Sequence, residues 1–461
     1  MPILAALLPL WLALAPAPGP TSAPVRRVLD NGLEVIVQRD ARLPLVAVHV
    51  RYHVGAVDDP PDRRGLAHVV EHFMFEGSRH IDAAAREEAR GRAAIHHDNA
   101  ETDLHSSEYF TLAPRGSLAS ALWLESDRMG FLRGHAGVAT LARVKAIVAQ
   151  ERRQRREADP RGARIDRLFG ELFPPEHPYH DTVMGPHAAI AAVTLADVDG
   201  FLARHYTPRN ATLTIVGDVP PNTDALIDRH FAGLDSPPAP SDSRDGRPPA
   251  TPGADVPVLS ASPPRPPPPA RRPRTLPPVA DGPIRVVRLP GGPPGALCGW
   301  PSPGMHADGD AALDVRFTAL TAGALVRLGG PDAAAIADLH AQQVSQPGQS
   351  IALIELHGQA GADPGELHRA LLRVLGRVAA GELDPAEVRR ARLRLATGLR
   401  VATQNLLTRA ALISSYATVF GDPDALARDL EQWLAVTPEA VAAAARTLLA
   451  TRAAVVLSGP P

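Results

Sequence analysis

Three residues close together in the sequence, His68, Glu71 and His72, are of types that can bind and use a metal ion. Histidines four residues apart lie one turn apart on the same face of a helix. Two neutral imidazoles so placed can bind one Zn²⁺, and an adjacent carboxylate can take a proton from a water molecule that the metal activates. The spacing therefore predicts a hydrolytic metal centre, with His68 and His72 as ligands and Glu71 as general base.

The segment around these residues has the pattern of a helix that is anchored by its opposite face. At about 100° per residue, four apolar side chains form a stripe away from the histidines. They are Leu66, Val69, Val70 and Phe73. The order H-x-x-E-H also occurs in zinc peptidases, as the reverse of the commoner H-E-x-x-H. The alternative is a surface helix with two exposed histidines, and the apolar stripe favours the metal site.

A catalytic zinc ion usually has three protein ligands, so a third must come from elsewhere in the chain. Glu151 falls on the predicted buried face of a helix near residues 138–157, where a carboxylate is costly unless it is paired or bound to metal. That face contains Leu141, Val144, Ile147 and Val148. Glu125 is the alternative, but Arg128 three residues later offers it a salt bridge. The pattern favours Glu151.

Composition excludes several classes of protein. The chain has 461 residues, a net charge of −2 and a single cysteine, Cys298. This length has room for two to four domains, the charge argues against nucleic-acid binding, and one cysteine excludes an internal disulfide framework. The apolar run at residues 3–15 is too short to span a bilayer and predicts a secretory signal within residues 1–23. We therefore expect a periplasmic or secreted protein without a stable membrane span.

Several separated motifs resemble one known family. The motifs are Asn31-Gly32-Leu33, Gly55, Gly65 to His72 and Phe75-Glu76-Gly77. They resemble the pitrilysin/insulinase zinc metallopeptidases, and within that family the bacterial branch that is similar to the mitochondrial processing peptidase. The resemblance covers roughly residues 25–220. Glu151-Arg152-Arg153-Gln154, 79 residues after His72, matches the family's distal ligand motif. Val144 stands where the family often has a second acidic residue.

The resemblance implies an endopeptidase with one Zn²⁺ per chain that hydrolyses peptides or unfolded protein segments. It implies that Asn99 and Ala100 belong to an edge strand onto which an extended substrate adds. An unpaired strand edge can bind such a backbone largely irrespective of its side chains. The alternative for Asn99 is an ordinary turn residue.

In this family the second half of the chain usually presents an arginine and a tyrosine to the substrate. Arg327 is the matching arginine here, but Gln342 stands where the tyrosine is expected. The resemblance therefore implies a homodimer or a heterodimer with a homologous subunit that completes the site. Two alternatives remain: a non-catalytic subunit of such a complex, and a module that binds peptides without cleaving them.

The expected fold class is α+β, with two homologous halves arranged as a clamshell, each a mostly antiparallel sheet covered by helices. The halves are residues 24–235, with the zinc site, and residues 284–461, which clamp the substrate. The chain between them, residues 236–283, is predicted to be an extended linker because 16 prolines lie within residues 237–278. Thr194 has a counterpart in Thr437, 243 residues later, and Gly217 has a counterpart in Gly459, 242 residues later. This nearly constant offset indicates that the two halves arose by duplication.

Two local patterns predict individual elements. Residues 45–54 alternate, with valines and Tyr52 on one face and His49, Arg51 and His53 on the other, as in a strand with one buried and one exposed face. Residues 384–420 read as one long helix.

Overall fold

The computed structural model describes residues 21–135, 137–235, 276–277, 284–324 and 334–460. The predicted signal segment up to residue 20, the predicted linker apart from residues 276–277, and Arg327 lie outside these ranges. Within the described residues, no helix is long and apolar enough to cross a membrane.

The first half is a six-stranded sheet with helices packed on one face. Its elements, in chain order, are β1 (Val25–Val28), β2 (Glu34–Arg39), β3 (Leu45–Tyr52), α1 (Leu66–Phe73), α2 (Ala83–Arg92), β4 (His97–Thr102), β5 (Ser107–Pro114), α3 (Leu118–Phe131), α4 (Val138–Arg152), α5 (Pro160–Leu172), α6 (His187–Ala192), α7 (Leu195–His205), β6 (Ala211–Gly217) and α8 (Thr223–Phe231). The strand order is β1-β2-β6-β3-β5-β4. Only β2 and β6 are parallel neighbours.

The second half contains a four-stranded sheet and its own set of helices. Its elements are β7 (Arg285–Pro303), α9 (Asp310–Ala319), β8 (Ile336–Val344), β9 (Gln349–Gly358), α10 (Pro364–Ala379), α11 (Pro385–Ala402), α12 (Leu406–Phe420), α13 (Leu426–Ala435), α14 (Pro438–Ala450) and β10 (Ala454–Gly459). β7 folds back on itself near Gly291 and Gly292, which have φ values of 90° and 75°. β10 lies between its two arms, parallel to the first and antiparallel to the second.

The two halves share one topology. When the two arms of β7 are counted as separate strands, the order in the second sheet is first arm, β10, second arm, β9, β8. This order matches β2, β6, β3, β5, β4 in the first sheet. In both sheets the first two strands of the order are parallel and the other neighbours are antiparallel. A chance match of order and direction over five strands is improbable, so the structure supports the duplication. The expected fold class, two related halves with mostly antiparallel sheets and helical covers, is confirmed.

Each half also lends one helix to the other. Helix α12 packs on the back of the first sheet, and α5 packs on the back of the second. The first contact consists of Leu406, Ala410, Ile413 and Ala417 against Ile36, Ala47 and Val216. The second consists of Leu168, Phe169, Leu172 and Phe173 against Leu297, Ile351, Leu353, Ala454 and Val456. This exchange joins the halves through apolar burial, which contributes roughly 25 cal/mol per Å² removed from water.

Buried ion pairs accompany both exchanged helices. Arg409 of α12 lies 2.7 Å from Asp40, and hydrogen bonds from Arg42 and Arg409 hold the pKa of Asp40 well below its usual range. On α5, Arg164 pairs with Glu355, and both side chains are at most 3% exposed. A buried charge without its partner is costly, so these pairs oppose separation of the halves.

The exchange overturns two local expectations. The predicted exposed face of β3 is covered by α12, and His49 is only 1% exposed, with Nε2 2.8 Å from Glu108 Oε2. The predicted single helix over residues 384–420 is two helices. Asn405 ends the interruption by accepting hydrogen bonds from the backbone N–H groups of Leu407 and Thr408, which caps α12.

Candidate metal centre

Helix α1 is held firmly at its start and along its apolar face. Gly65 precedes it with φ 92°, and a β-carbon there would lie 3.0 Å from the carbonyl oxygen of Met184. The buried carboxylate of Asp59 accepts hydrogen bonds from the backbone N–H groups of Gly65 (2.7 Å) and Ala67 (2.8 Å). The predicted apolar stripe is buried as expected; it consists of Leu66, Val69, Val70 and Phe73. The opposite face, with the histidines, is therefore presented in one orientation.

Three candidate ligand atoms converge above that face. His68 Nε2 and His72 Nε2 are 3.2 Å apart, and Glu151 Oε2 lies 3.4 Å from the first and 3.0 Å from the second. Two atoms bound to tetrahedral zinc at about 2.0–2.1 Å lie about 3.3 Å apart. The spacing of these three atoms therefore fits one zinc ion.

Glu71 completes the cluster. Its carboxylate and the ring nitrogens of His68 and His72 lie within 4.8 Å of one another. Because Glu71 is adjacent to His72 in the sequence, it stands beside the ligand triangle. From that position it can exchange a proton with a water molecule at the metal.

Glu151 reaches the histidines because α4 packs against α1. Hydrogen bonds with His68 and His72, together with the charge of Arg155, hold the pKa of Glu151 well below its usual range. It is therefore ionised at neutral pH, the form in which a carboxylate binds metal. The buried side of α4 consists of Leu141, Val144 and Val148, whereas Ile147, predicted to be buried, is 44% exposed.

The alternative ligand, Glu125, has a different partner. It forms an ion pair with Arg128 in which both side chains are 2% exposed. Arg128 also lies 3.6 Å from Asp98 of β4. The structure thus brings Glu151, and not Glu125, to the two histidines.

The candidate substrate residues of the first half lie at a sheet edge beside the helix. Asn99 and Ala100 are in β4, which is the last strand of its sheet in the described chain and packs against α1. Partial burial raises the pKa of the neighbouring Glu101, and the negative charges of Glu108, Asp103 and Glu71 raise it further. Asn99 is a strand residue here, not a turn residue.

Helix α9, the counterpart of α1 in the described part of the second half, has no equivalent ligand pair. Helix α9 also begins after a glycine with positive φ, Gly309 at 90°. Aligning Gly309 with Gly65 puts Ala312 and Arg316 where His68 and His72 stand. Arg316 is fully buried, which lowers its pKa to about 9. Gln342 is an exposed residue of β8, the corresponding edge strand.

Two residues near the candidate metal centre were not predicted from the sequence. Asp59 is six residues from Gly65, too far for an ordinary helix-cap pattern to reveal it. Arg155 lies four residues after Glu151, and that helical spacing could have indicated its contact with the ligand carboxylate.

Comparisons with known proteins agree with this geometry. The family model described as "Insulinase (Peptidase family M16)" matches residues 34–128, and the model "Peptidase M16 inactive domain" matches residues 192–395. Zinc protease PqqE of Helicobacter pylori is 30% identical over 210 residues, 45% of this chain and 46% of that protein. An uncharacterised zinc protease of Mycobacterium tuberculosis is 27% identical over 218 residues, 46% of this chain and 48% of that protein. The chain thus spans about half the length of these curated relatives.

The same fold occurs in solved structures. A protease from Helicobacter pylori has a TM-score of 0.80 at 22% identity, covering 95% of this chain and 100% of that chain. The periplasmic protease PqqL of Escherichia coli has a TM-score of 0.71 at 17% identity, covering 96% of this chain but 48% of PqqL. The two family models, the zinc protease relatives and the duplicated fold together show that the chain belongs to the insulinase family of peptidases, M16.

Proposed function

We propose that this chain is a zinc-dependent endopeptidase that hydrolyses extended peptides or unfolded protein segments. The observation that carries this proposal is the convergence of His68, His72 and Glu151 on one point, with Glu71 beside them and β4, the edge strand of the described sheet, adjacent. One zinc ion per chain would be held by the three ligands. The zinc protease names of the curated relatives support the same chemistry.

In this mechanism the protein groups orient the substrate and move protons. The N–H and C=O groups along the edge of β4 would pair with an extended substrate backbone and bring it past α1. A bound zinc ion would supply a Lewis acid that polarises the scissile carbonyl and makes the attacking water more acidic. Glu71 would accept the proton of that water and later donate it to the departing amine.

We further propose that the protein acts in the periplasm or outside the cell. The support is the apolar run at residues 3–15 followed by prolines, which is typical of an exported chain. Unfolded proteins and peptides in that compartment would be its substrates.

The test is metal-dependent turnover. The purified chain is incubated with a fluorescently labelled, reduced and alkylated protein, before and after dialysis against a zinc chelator. We expect cleavage that disappears with the metal and returns when one equivalent of Zn²⁺ is added. Cleavage that is indifferent to chelation would contradict a metal mechanism, and binding without cleavage in the zinc-loaded state would favour the peptide-binding module.

A second candidate function is a subunit that needs a homologous partner. Three observations favour it: α9 has no ligand pair, Gln342 stands at the expected tyrosine position, and PqqL is about twice as long as the part this chain covers. The first half of PqqL on its own is covered over 94% of its length, with a TM-score of 0.70. A glutamine can hydrogen-bond a carbonyl but has no phenol to stabilise a developing oxyanion.

The corresponding prediction concerns activity alone and in combination. The isolated chain is expected to cleave unfolded substrate weakly and to gain activity when a co-purifying homologous chain is added. Specific activity is measured across a dilution series, with sedimentation velocity to follow assembly. Full turnover by a monomer, with no gain on addition of the homologue, would rule out the partner requirement.

A further inference from the structure

The carboxylate of Glu151 is contacted from both sides. Its Oε2 faces His72 at 3.0 Å and His68 at 3.4 Å, whereas its Oε1 accepts a hydrogen bond from Arg155 Nε at 3.1 Å. A carboxylate that rotates freely about its last bond can offer either oxygen, or both, to a metal. The contact with Arg155 selects one orientation, with Oε2 toward the histidines.

The backbone changes form at the point that brings Arg155 into place. Helix α4 ends at Arg152 and continues as one π turn over Arg153–Glu157, in which the backbone N–H of Ala158 donates to the carbonyl oxygen of Arg153 at 2.8 Å. Such widened turns re-aim side chains and are frequent at functional sites. Here the turn begins two residues after the candidate ligand.

The other arginines of this basic run have different partners. Arg152 binds Asp166 at 2.8 Å, Arg153 binds the side-chain oxygen of Gln150 at 2.7 Å, and Arg156 lies 3.7 Å from Asp166. Arg155 alone among the four contacts a candidate metal ligand in the described structure. Its side chain is 72% exposed, so no packing role accounts for it.

The ligands otherwise have little outer support. Metal-binding residues are normally oriented by a second hydrogen bond from a neighbouring group. His68 Nδ1 is buried without a hydrogen-bond partner in the described part of the chain. Val144, one heptad before Glu151, is buried and apolar and cannot assist the carboxylate.

We infer that Arg155 is a positioning residue of the metal centre, which orients the Glu151 carboxylate for zinc binding through the Nε–Oε1 hydrogen bond. This inference rests on the proposed zinc site. Loss of a hydrogen bond to a metal ligand typically weakens metal binding by 10- to 100-fold. Because Arg155 is exposed to solvent, which weakens its ion pair, we expect an effect of about tenfold or less.

The experiment compares zinc affinity in four full-length proteins: wild type, Arg155→Ala, Arg155→Lys and Arg153→Ala. The Arg153 variant is the matched control, because Arg153 belongs to the same basic run but binds the side chain of Gln150 and not that of Glu151. Dissociation constants are measured by competition with a chromophoric chelator at low and high salt, with circular dichroism as the check of folding. We expect Arg155→Ala to weaken zinc binding by about threefold to tenfold, Arg155→Lys to recover part of the loss, and Arg153→Ala to match wild type.

Salt provides a second readout that a purely structural role would not move. Because the ion pair is exposed, the difference between wild type and Arg155→Ala should shrink as ionic strength rises. Equal zinc affinity of wild type and Arg155→Ala would overturn the role of Arg155 and leave the zinc peptidase proposal standing. A wild-type protein with no measurable zinc affinity would overturn both.

Discussion

Replacing Glu71 with glutamine is expected to abolish peptide cleavage while zinc remains bound. Glutamine has nearly the same shape but cannot accept a proton at neutral pH, and His68, His72 and Glu151 are untouched. General acid–base catalysis by one side chain typically contributes about 10²- to 10⁴-fold to the rate. The measurements are kcat on an unfolded substrate and the zinc content of the purified variant.

The control makes the same chemical change away from the histidines. Glu87 lies on the exposed helix α2, where it pairs with Arg90 and its side chain is 71% exposed. Glu87→Gln should cleave like wild type. A Glu71→Gln protein that retains zinc and cleaves at a near wild-type rate would show that Glu71 is not the base.

Glu151→Ala and Glu125→Ala are expected to fail in opposite ways. Removal of Glu151 takes away one of the three proposed ligand atoms, so zinc affinity should fall by more than the 10- to 100-fold typical of a supporting residue. Removal of Glu125 leaves Arg128 buried without its closest partner, which should cost about 3–5 kcal/mol of unfolding free energy. The remaining contact of Arg128 with Asp98, at 3.6 Å, offsets part of that cost.

Metal analysis and urea unfolding separate the two effects. We expect the Glu151 variant to be nearly as stable as the zinc-free wild type and poor in zinc, and the Glu125 variant to be less stable but to bind zinc when folded. Loss of zinc confined to the Glu125 variant would reverse the assignment of the third ligand.

Many local features of this protein can be predicted from short stretches of its sequence. The H-x-x-E-H spacing places His68 and His72 on one helical face, because four residues make nearly one turn. The Asn31-Gly32 pair turns the first hairpin, where Gly32 has φ 89°. Thr194 and Thr437 cap helices through their side chains. These features depend on interactions within a few residues, so a linear pattern is sufficient to predict them.

Relations between the halves could be inferred only in outline. The repeat of landmarks after 243 and 242 residues indicates duplication. The exchange of α5 and α12 leaves no linear signal, because an apolar helix face looks the same whichever sheet it covers. Consequently His49 is buried where alternation predicted exposure, and the helix over residues 384–420 breaks so that α12 can reach the first sheet.

The candidate metal centre shows the same division between sequence and structure. The sequence alone predicts that the two histidines and Glu71 lie close together, since all three are on a single helix. Tertiary packing of α4 against α1 decided that Glu151 completes the triangle while Glu125 pairs with Arg128, since both glutamates have a helix position compatible with burial. The physical reason is that a helix pattern specifies which face is buried, whereas the partner that a buried carboxylate meets depends on where a separate helix lies.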